Sequence, residues 1–458
     1  MNSFNKTFIY FICLVSAMGG LLFGYDWVVI GGAKPFYEIF FGISADPVMQ
    51  GVAMSTALVG CLIGAMVAGG MADRYGRRPL LVISAVLFTL SAVATGAVSD
   101  FTLFNIARFI GGVGIGVASA LSPMYIAEIS PAQVRGRLVS LNQMTIVLGI
   151  LGAQIVNWQL AEPVPAGYTE ADILASWNGQ TGWRWMFWAE ALPAAAFLVL
   201  SFIIPESPRW QMFHGREEQA RATLIRIGGA GYAESEAEAM GNDMVAGNAG
   251  AGTAGGGLRA LFSRRYAAVL VLGIFVAVFQ QWCGTNVIFN YAQEIFSAAG
   301  YSVGDVLFNI VITGVANVIF TIVAIYTVDR WGRRSLMLFG AGALAAVYFI
   351  LGTCYHLHVT GFFMVVLVVT AIACYAMSLG PVTWVLLSEI FPTRVRGVAM
   401  ATCTFALWTG CTTLTFSFPS LNASLGSSGT FWLYGAICLA GFVFFKVRLP
   451  ETKGKRLE

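Results

Sequence analysis

Charged residues are scarce in this chain of 458 residues: 11% are Asp, Glu, Lys or Arg, whereas 57% are hydrophobic. Soluble domains carry about 25% charged residues, so this composition excludes a soluble globular protein. The mean hydropathy of +0.75 indicates an integral membrane protein. The net charge of +3 is too slight to indicate nucleic-acid binding.

Histidine is also scarce, and the three copies, His214, His356 and His358, are too scattered to form a metal cluster. Eight cysteines are present, but none forms a CxxC pair. We therefore expect free thiols, with no disulfide framework, metal site or cofactor. The apolar N-terminal segment is too long for a signal peptide and lacks a clear cleavage site, so we interpret it as the first membrane span.

Apolar runs long enough to cross a bilayer, which takes roughly 20 residues, occur twelve times. The predicted spans are residues 7–33, 51–71, 79–98, 101–127, 138–159, 184–204, 267–291, 306–328, 335–354, 361–387, 397–420 and 430–447. Only residues 205–266 form a long polar connection. Its charged first part predicts short helices on the membrane surface, and the sequence GNAGAGTAGGG at 247–257 predicts a flexible tether.

Basic residues indicate how the chain is oriented in the membrane. Of 26 Lys and Arg residues, all but Lys34, Arg108 and Arg184 lie at the N-terminus, in alternate connections or in the tail. Lys34 and Arg184 fall on the other side, and Arg108 falls within a span. Because basic loops stay in the cytoplasm, we expect cytoplasmic termini and a multi-pass protein of the plasma (inner) membrane.

Two motifs occur twice, which indicates two related halves. DRYGRRPL at 73–80 recurs as DRWGRRSL at 329–336, and AEISPAQVRG at 127–136 recurs as SEIFPTRVRG at 388–397. Parallel six-span repeats are typical of the major facilitator fold, an all-α membrane fold of twelve transmembrane helices with its substrate site between the halves. The predicted organisation is an N-terminal half at 1–204, a cytoplasmic linker at 205–266, a C-terminal half at 267–447 and a cytoplasmic tail at 448–458.

The chain resembles the sugar porters of the major facilitator superfamily, which include bacterial D-xylose–proton and glucose–proton symporters and glucose facilitators. The resemblance runs from GYD at 24–26 to PETKG at 450–454. DRxGRR alone marks only the superfamily, but RFIGGVGIG at 108–116, PESPRW at 205–210 and QQWCGTN at 280–286 are specific to sugar porters. The resemblance implies a sugar transporter that works by alternating access, and not an enzyme.

Three ionisable residues fall at a common depth inside the predicted spans. Asp26 and Arg108 lie about seven residues, and Glu190 six residues, from the outer ends of spans 1, 4 and 6. Charges inside a membrane are costly and usually functional. Separating Asp26 from Arg108 would make the carboxylate take up a proton. By resemblance, proton-coupled sugar porters have an acid at the Asp26 position, where facilitators typically have Asn; a static ion pair is the alternative.

A second set of charges lies where spans end on the basic side. The arginines of DRYGRR and DRWGRR can pair with acids that follow spans 4 and 10. We expect this network to hold the inner gate shut in the outward-open state and to break on opening; a purely topological role is the alternative. The predicted network consists of Asp73, Arg74, Arg77, Arg78, Glu128, Arg135, Glu206, Arg209, Asp329, Arg330, Arg333, Arg334, Glu389 and Arg396.

Amides around and beyond the midplane of span 7 predict a sugar site. Amide side chains both donate and accept hydrogen bonds, which suits sugar hydroxyls, although interhelical bonding is the alternative for each. The resemblance adds one residue each from spans 5, 8 and 10. The predicted site consists of Gln143, Gln280, Gln281, Asn286, Asn317 and Trp384.

The chain also departs from the sugar-porter pattern. Asn290-Tyr291 stands where family members often have Tyr-Tyr, and Ile150 stands where xylose symporters have a second Gln. Leu407 and Cys411 make span 11 less polar than usual. These departures leave the sugar open, whether a pentose or a hexose, such as D-xylose or D-glucose.

The leading hypothesis is therefore a proton-coupled monosaccharide symporter. A facilitator of the same fold is the nearest alternative, and a sugar sensor that does not transport is another. The expected partners are a monosaccharide, protons and the lipid bilayer, with no nucleic acid, and we expect a monomer.

Overall fold

The computed structural model describes residues 4–131, 133–165, 167–250, 264–301, 303–391 and 396–451, and every regular element within them is helical. A π-helical turn, Asn178–Gly182, precedes α7. In chain order the helices are α1 Lys6–Phe40, α2 Pro47–Tyr75, α3 Arg77–Ala97, α4 Phe101–Ile129, α5 Arg135–Leu160, α6 Glu170–Ala175, α7 Trp183–Ser201, α8 Pro208–Phe213, α9 Glu217–Gly250, α10 Arg264–Trp282, α11 Thr285–Asn290, α12 Ala292–Ala298, α13 Val303–Trp331, α14 Arg333–His356, α15 Phe362–Ala376, α16 Leu379–Ile390 and α17 Arg396–Arg448.

Ten helical segments of the described residues are long and apolar enough to cross a membrane, counting α10 with α11 and α15 with α16 as single segments. One of them, the 53-residue α17, holds two spans. A straight helix of that length would extend about 80 Å, far more than a hydrocarbon core of about 30 Å, and its backbone turns at Gly426, where φ is 67°. With α7, which contains Arg184 and Glu190, the described residues hold the twelve spans that the sequence predicts.

The helices form two groups that meet along two long contacts. In the first group α2 packs on α4, α1 on α5, and α3 on α4 and α7; in the second α14 and α10 pack on α17. The groups meet where α2 packs on α17 and α5 packs on α13. We call the side with the α2–α3 and α13–α14 connections the arginine face, and the opposite side the distal face.

Glycines allow α2 and α4 to approach each other closely. Gly60 and Gly64 on α2, and Gly112 and Gly116 on α4, repeat at four-residue spacing, as is common where membrane helices touch. A Cβ atom at Gly112 would lie 1.9 Å from the carbonyl oxygen of Ala57. This contact fixes the position of α4, which carries Arg108.

The first helix is longer than the sequence predicts. It continues past residue 33 to Phe40, so Lys34 lies within α1 and is 2% exposed, and the expectation of an outer loop there is wrong. The helix tolerates this lysine because Glu38, one turn further along, pairs with it at 3.0 Å.

Two predicted spans, 267–291 and 361–387, are interrupted and not continuous. The first breaks between α10 and α11, where Gly284 has the left-handed φ of 85°. The second breaks at Ser378, just before Gly380-Pro381 at the start of α16, where proline has no N–H to donate. Irregular backbone at membrane depth occurs where it is buried in protein or lines a cavity, so these breaks mark a candidate binding region.

The polar connection also differs from its prediction. The six-residue α8 is short, but α9 has 34 residues and bends at Gly229. Residues 247–250 of the predicted tether belong to α9, and 251–257 lie outside the described residues.

We predict that Gly112→Val will lower the stability of the folded protein, because overpacking a close contact costs about 1–3 kcal/mol or more. Thermal unfolding in detergent measures the loss as a lower midpoint. The control is Gly152→Ala, where a Cβ has open space. Equal midpoints for Gly112→Val and the parent would show that the α2–α4 contact yields easily.

Candidate functional site

A buried ion pair joins α1 to α4. The Nη1 atom of Arg108 donates a hydrogen bond to Oδ1 of Asp26, and its Nη2 atom donates to the Asp26 carbonyl at 3.2 Å. Each residue is 2% exposed, and the guanidinium also lies 5.5 Å from the centre of the Phe187 ring. Removing one partner of a buried pair leaves an uncompensated charge, which typically costs about 3–5 kcal/mol.

Glu190 on α7 completes the buried charge cluster, by which we mean Asp26, Arg108 and Glu190. Glu190 is also 2% exposed and interacts electrostatically with both other members. Oδ2 of Asp26 and Oε1 of Glu190 have no hydrogen-bond donor within the described residues. Two carboxylates against one guanidinium leave a net charge of −1 when all are ionised, so the cluster is suited to hold one proton.

The amides of α10 and α11 form a chain of hydrogen bonds across the helix break. Gln280 donates to the Gly380 carbonyl at 3.2 Å and accepts from Gln281 at 3.0 Å. Gln281 in turn accepts a hydrogen bond from Asn286. The two broken spans therefore meet at this amide chain (Gln280, Gln281 and Asn286), which offers donors and acceptors to a polyhydroxylated ligand.

The other predicted sugar-site residues come from three separate helices. Gln143 is half-buried on α5, Asn317 is buried on α13, and Trp384 is 38% exposed on α16. Among the described residues, no hydrogen bond joins these three to the amide chain. Of the departures, Cys411 lies 4.0 Å from the Asn286 amide.

An aromatic cluster that was not predicted from the sequence lies between the two helix groups. Phe23 and Trp27 of α1 and Trp408 of α17 lie with their ring centres 5.4–5.8 Å apart. Their spacing on α1, one turn apart, was the available signal. Aromatic rings at this separation attract one another and can also cover the C–H face of a sugar.

On the arginine face, the first group has a charged corner. Arg77 contacts Glu128 at 2.9 Å, and Glu206 accepts hydrogen bonds from the backbone N–H groups of Arg77 and Arg78 at the start of α3. Burial raises the pKa of Glu206, and these N–H donors oppose that rise. Ser207 donates to Glu128 as well.

The second group repeats this corner. Arg333 contacts Glu389 at 2.9 Å, and Glu451 accepts hydrogen bonds from the N–H groups of Arg333 and Arg334 at 3.0 and 3.1 Å. Glu451 belongs to PETKG and Glu206 to PESPRW, two motifs that follow corresponding spans and that are expected from the sequence to extend the network. Carboxylates are favoured at helix N-termini, so each acid also caps the helix after the arginine connection.

The predicted network is thus two separate corners in this structure. The ion pairs Arg77–Glu128 and Arg333–Glu389 each join helices of one group, and the described parts of α4 and α16 share no extensive packing. These pairs are present in this conformation, and their breaking on opening of the inner gate stays a prediction. Of the remaining members, Asp73 pairs with Arg77 at 3.4 Å, and Arg78 and Arg334 donate to the backbone carbonyls of Phe202 and Lys446. Exposed members are Arg74, Arg135, Arg209 and Arg330, and the side chains of Asp329 and Arg396 lie outside the described residues.

At the distal face, Lys34 connects the two helix groups. It pairs with Glu38 on α1 and with Glu294 on α12, and it lies 5.5 Å from the Tyr291 ring centre. We call Lys34, Glu38 and Glu294 the distal triad. The distal triad was not predicted from the sequence, although opposite charges four residues apart in an apolar helix indicate an ion pair.

The chain matches the family model described as "Sugar (and other) transporter" over residues 12–458. It is 37% identical to the D-xylose-proton symporter of Escherichia coli K12, covering 100% of this chain and 96% of that protein. The chain belongs to the sugar transporter family.

A second relative of this sugar transporter is the arabinose-proton symporter of Bacillus subtilis 168, which is 35% identical over 100% of this chain and 95% of the relative. Among solved structures, the partially occluded inward-open E. coli xylose transporter matches with a TM-score of 0.85 and 35% identity, covering 99% of this chain and 100% of that one. The likeness gives this sugar transporter the major facilitator fold.

We predict that Lys34→Met will open the distal face. The change leaves the buried Glu38 and the partly buried Glu294 without their cation. Losing about 3 kcal/mol of stabilisation of the closed state shifts the population of the two states roughly 100-fold. Spin labels at the exposed positions Ala45 and Ser297 report the opening as longer distances in pulsed electron paramagnetic resonance.

Lys6→Met, which removes an exposed lysine near the arginine face, is the matched control and should leave the distances unchanged. Identical distance distributions for Lys34→Met and the parent would mean that the distal triad does not hold the face closed.

Proposed function

We propose that this sugar transporter is a proton-coupled monosaccharide symporter. The observation that carries the proposal is the buried charge cluster, in which two carboxylates share one guanidinium. The names of the two relatives, a D-xylose-proton and an arabinose-proton symporter, support both the sugar and the proton. A facilitator has no need of a second buried carboxylate that lacks its own cation, because such a group costs several kcal/mol in the bilayer.

Coupling follows from the charge count. When Asp26 is ionised, it holds Arg108 and so ties α1 to α4; when it takes up a proton, this attraction weakens. α1 also contacts α11 and α12 of the other group, so a change at Asp26 reaches the helices that carry the amide chain. Protonation therefore changes the relative stability of the two alternating-access states, and sugar binding between the groups changes it too.

Sugar recognition uses the amide chain. Its members bond to one another and to Gly380 in this conformation, and a bound sugar exchanges those bonds for bonds to its hydroxyls. Gln143 and Asn317 add amides from α5 and α13. Trp384, which is 38% exposed, offers an indole face to the sugar ring.

The arginine face is the cytoplasmic one under this proposal, because basic connections stay in the cytoplasm. The termini are then cytoplasmic, the protein lies in the inner membrane, and this structure faces inward with its distal side closed. The halves at 1–204 and 267–447 move as units, and the linker at 205–266 and the tail at 448–458 lie in the cytoplasm. Each half is stiffened by its charged corner, and one copy suffices for the cycle.

We predict that Gln281→Ala will weaken sugar affinity about 5- to 100-fold, because an unpaired hydroxyl in a dry pocket costs about 1–3 kcal/mol. Gln280→Ala should act similarly. Equilibrium binding of labelled pentoses and hexoses to purified protein measures the effect. Gln293→Ala, on the partly exposed side of α12, is the control. Parent-like binding by both variants would place the sugar elsewhere.

We also predict that Asp26→Asn will abolish uphill accumulation driven by a pH gradient but preserve sugar exchange at equal concentrations. The neutral amide mimics the protonated acid, so the cycle no longer needs a proton. Uptake into proteoliposomes measures both modes, and Glu170→Gln, on the exposed α6, is the control.

If Asp26→Asn protein still concentrates sugar, the proton is carried elsewhere or not at all. A static ion pair predicts loss of both modes together, through misfolding. Arg108→Ala should be worse than Asp26→Asn, since it strands a carboxylate in a low-dielectric site.

A further inference from the structure

A small cavity lies between the two helix groups beside the buried charge cluster. It is lined by Asp26 and Arg108 of the first group and by Asn290, the last residue of α11, from the second. The rest of its wall is mainly apolar and includes Ile30 and Leu58. Its interior has space for about one water molecule, so a sugar does not fit.

Polar atoms of all three lining residues have no partner within the described residues. They are Nε of Arg108, Oδ2 of Asp26 and Oδ1 of Asn290, and each residue is at least 97% buried. Buried polar groups are usually satisfied by protein or by ordered water. The Asp26 carboxylate also lies beside the Glu190 carboxyl, but Nε of Arg108 and Oδ1 of Asn290 have no hydrogen-bond partner among the described residues, and together with the lining carboxylate they mark a candidate ligand site.

The chemistry of these atoms selects the ligand. Nε of Arg108 carries a hydrogen to donate, while the Asp26 carboxylate and the Asn290 oxygen accept. In this cavity a water molecule would accept one hydrogen bond, from Arg108, and donate two, to Asp26 and Asn290. A sodium ion would bind the two oxygens, but the guanidinium beside them repels it.

We propose that this cavity binds one water molecule that connects the buried charge cluster to Asn290, and that Asn290 is thereby a positioning residue for proton coupling. The inference rests on the proposed symport. The water donates to ionised Asp26, so it stabilises the charged cluster while α11 lies against α1. Gly31 of α1 packs against the backbone of Asn290, so separation of the groups at the distal face removes this link.

Other ionisable groups also surround Asp26. Glu190 faces it from α7, and Cys61 from α2; Tyr37, further along α1, lies within electrostatic reach of Arg108. None of them lies on α10, α11 or α12. Asn290 therefore supplies the polar contact of the cavity from the second group, at one of the positions where the sequence departs from its relatives.

The test compares Asn290→Leu, which keeps the branched shape of the side chain but removes the amide, with Ile30→Leu, which changes the same cavity without a polar group. Sugar exchange in proteoliposomes is measured as a function of pH for both and for the parent. Because the water stabilises the charged cluster, its loss moves the alkaline limb of the profile to higher pH by about half to one unit in Asn290→Leu only. Asn290→Ser retains a hydrogen-bond acceptor, so its profile is expected to shift less than that of Asn290→Leu.

A structure of the parent in this conformation, at a resolution that shows ordered water, is the second measurement. Density within hydrogen-bonding distance of Arg108 Nε and Asn290 Oδ1 is expected, and its loss in Asn290→Leu. An empty cavity, or unshifted profiles for Asn290→Leu, would overturn the inference even if the parent couples sugar to protons. Conversely, ordered water in a parent that never accumulates sugar would leave the water site standing while the symport proposal and the role of Asn290 in it fail.

Discussion

The arrangement of the first helix group depends on keeping Asp26 and Arg108 together away from water. Either charge alone would be too costly in a low-dielectric interior, so α1 and α4 must stay in register. The glycine contact between α2 and α4 brings α4 close enough, and α7 adds Glu190 and the Phe187 ring. The pair therefore stabilises the helix group while Asp26 is charged, and under the proposed symport the second carboxylate, Glu190, makes that charge state sensitive to protons.

Charge clusters elsewhere in the molecule differ in what they connect. The corners at the arginine face, built around Arg77 and Arg333, join helices of one group. The distal triad joins the two groups through Lys34 and Glu294. Contacts within a group can persist while the groups rock against each other, whereas contacts between groups must form and break. We therefore propose that the charges within a group stiffen it and that the charges between the groups gate it.

Much of this arrangement is readable from the sequence because membrane depth is a simple count. Spans, paired halves and the similar depth of Asp26 and Arg108 follow from apolar run lengths and repeated motifs. Depth counting fails where a helix departs from one uniform span. The predicted end of α1 at residue 33 was too early because a lysine is typical of loops, whereas Lys34 lies inside the helix. The breaks at Gly284 and Ser378 depend on tertiary packing, so a count of apolar residues does not predict them. It also could not show that the amides of α10 and α11 bond to one another.

Proton flux that accompanies sugar entry tests the central claim most directly. Sugar is added to proteoliposomes that have no initial pH gradient, and the external pH is followed. A symporter takes up protons with the sugar, so the account predicts that the medium becomes more alkaline on addition of a transported monosaccharide and that a protonophore abolishes the signal. Sugar entry at full rate with no change in external pH would contradict it.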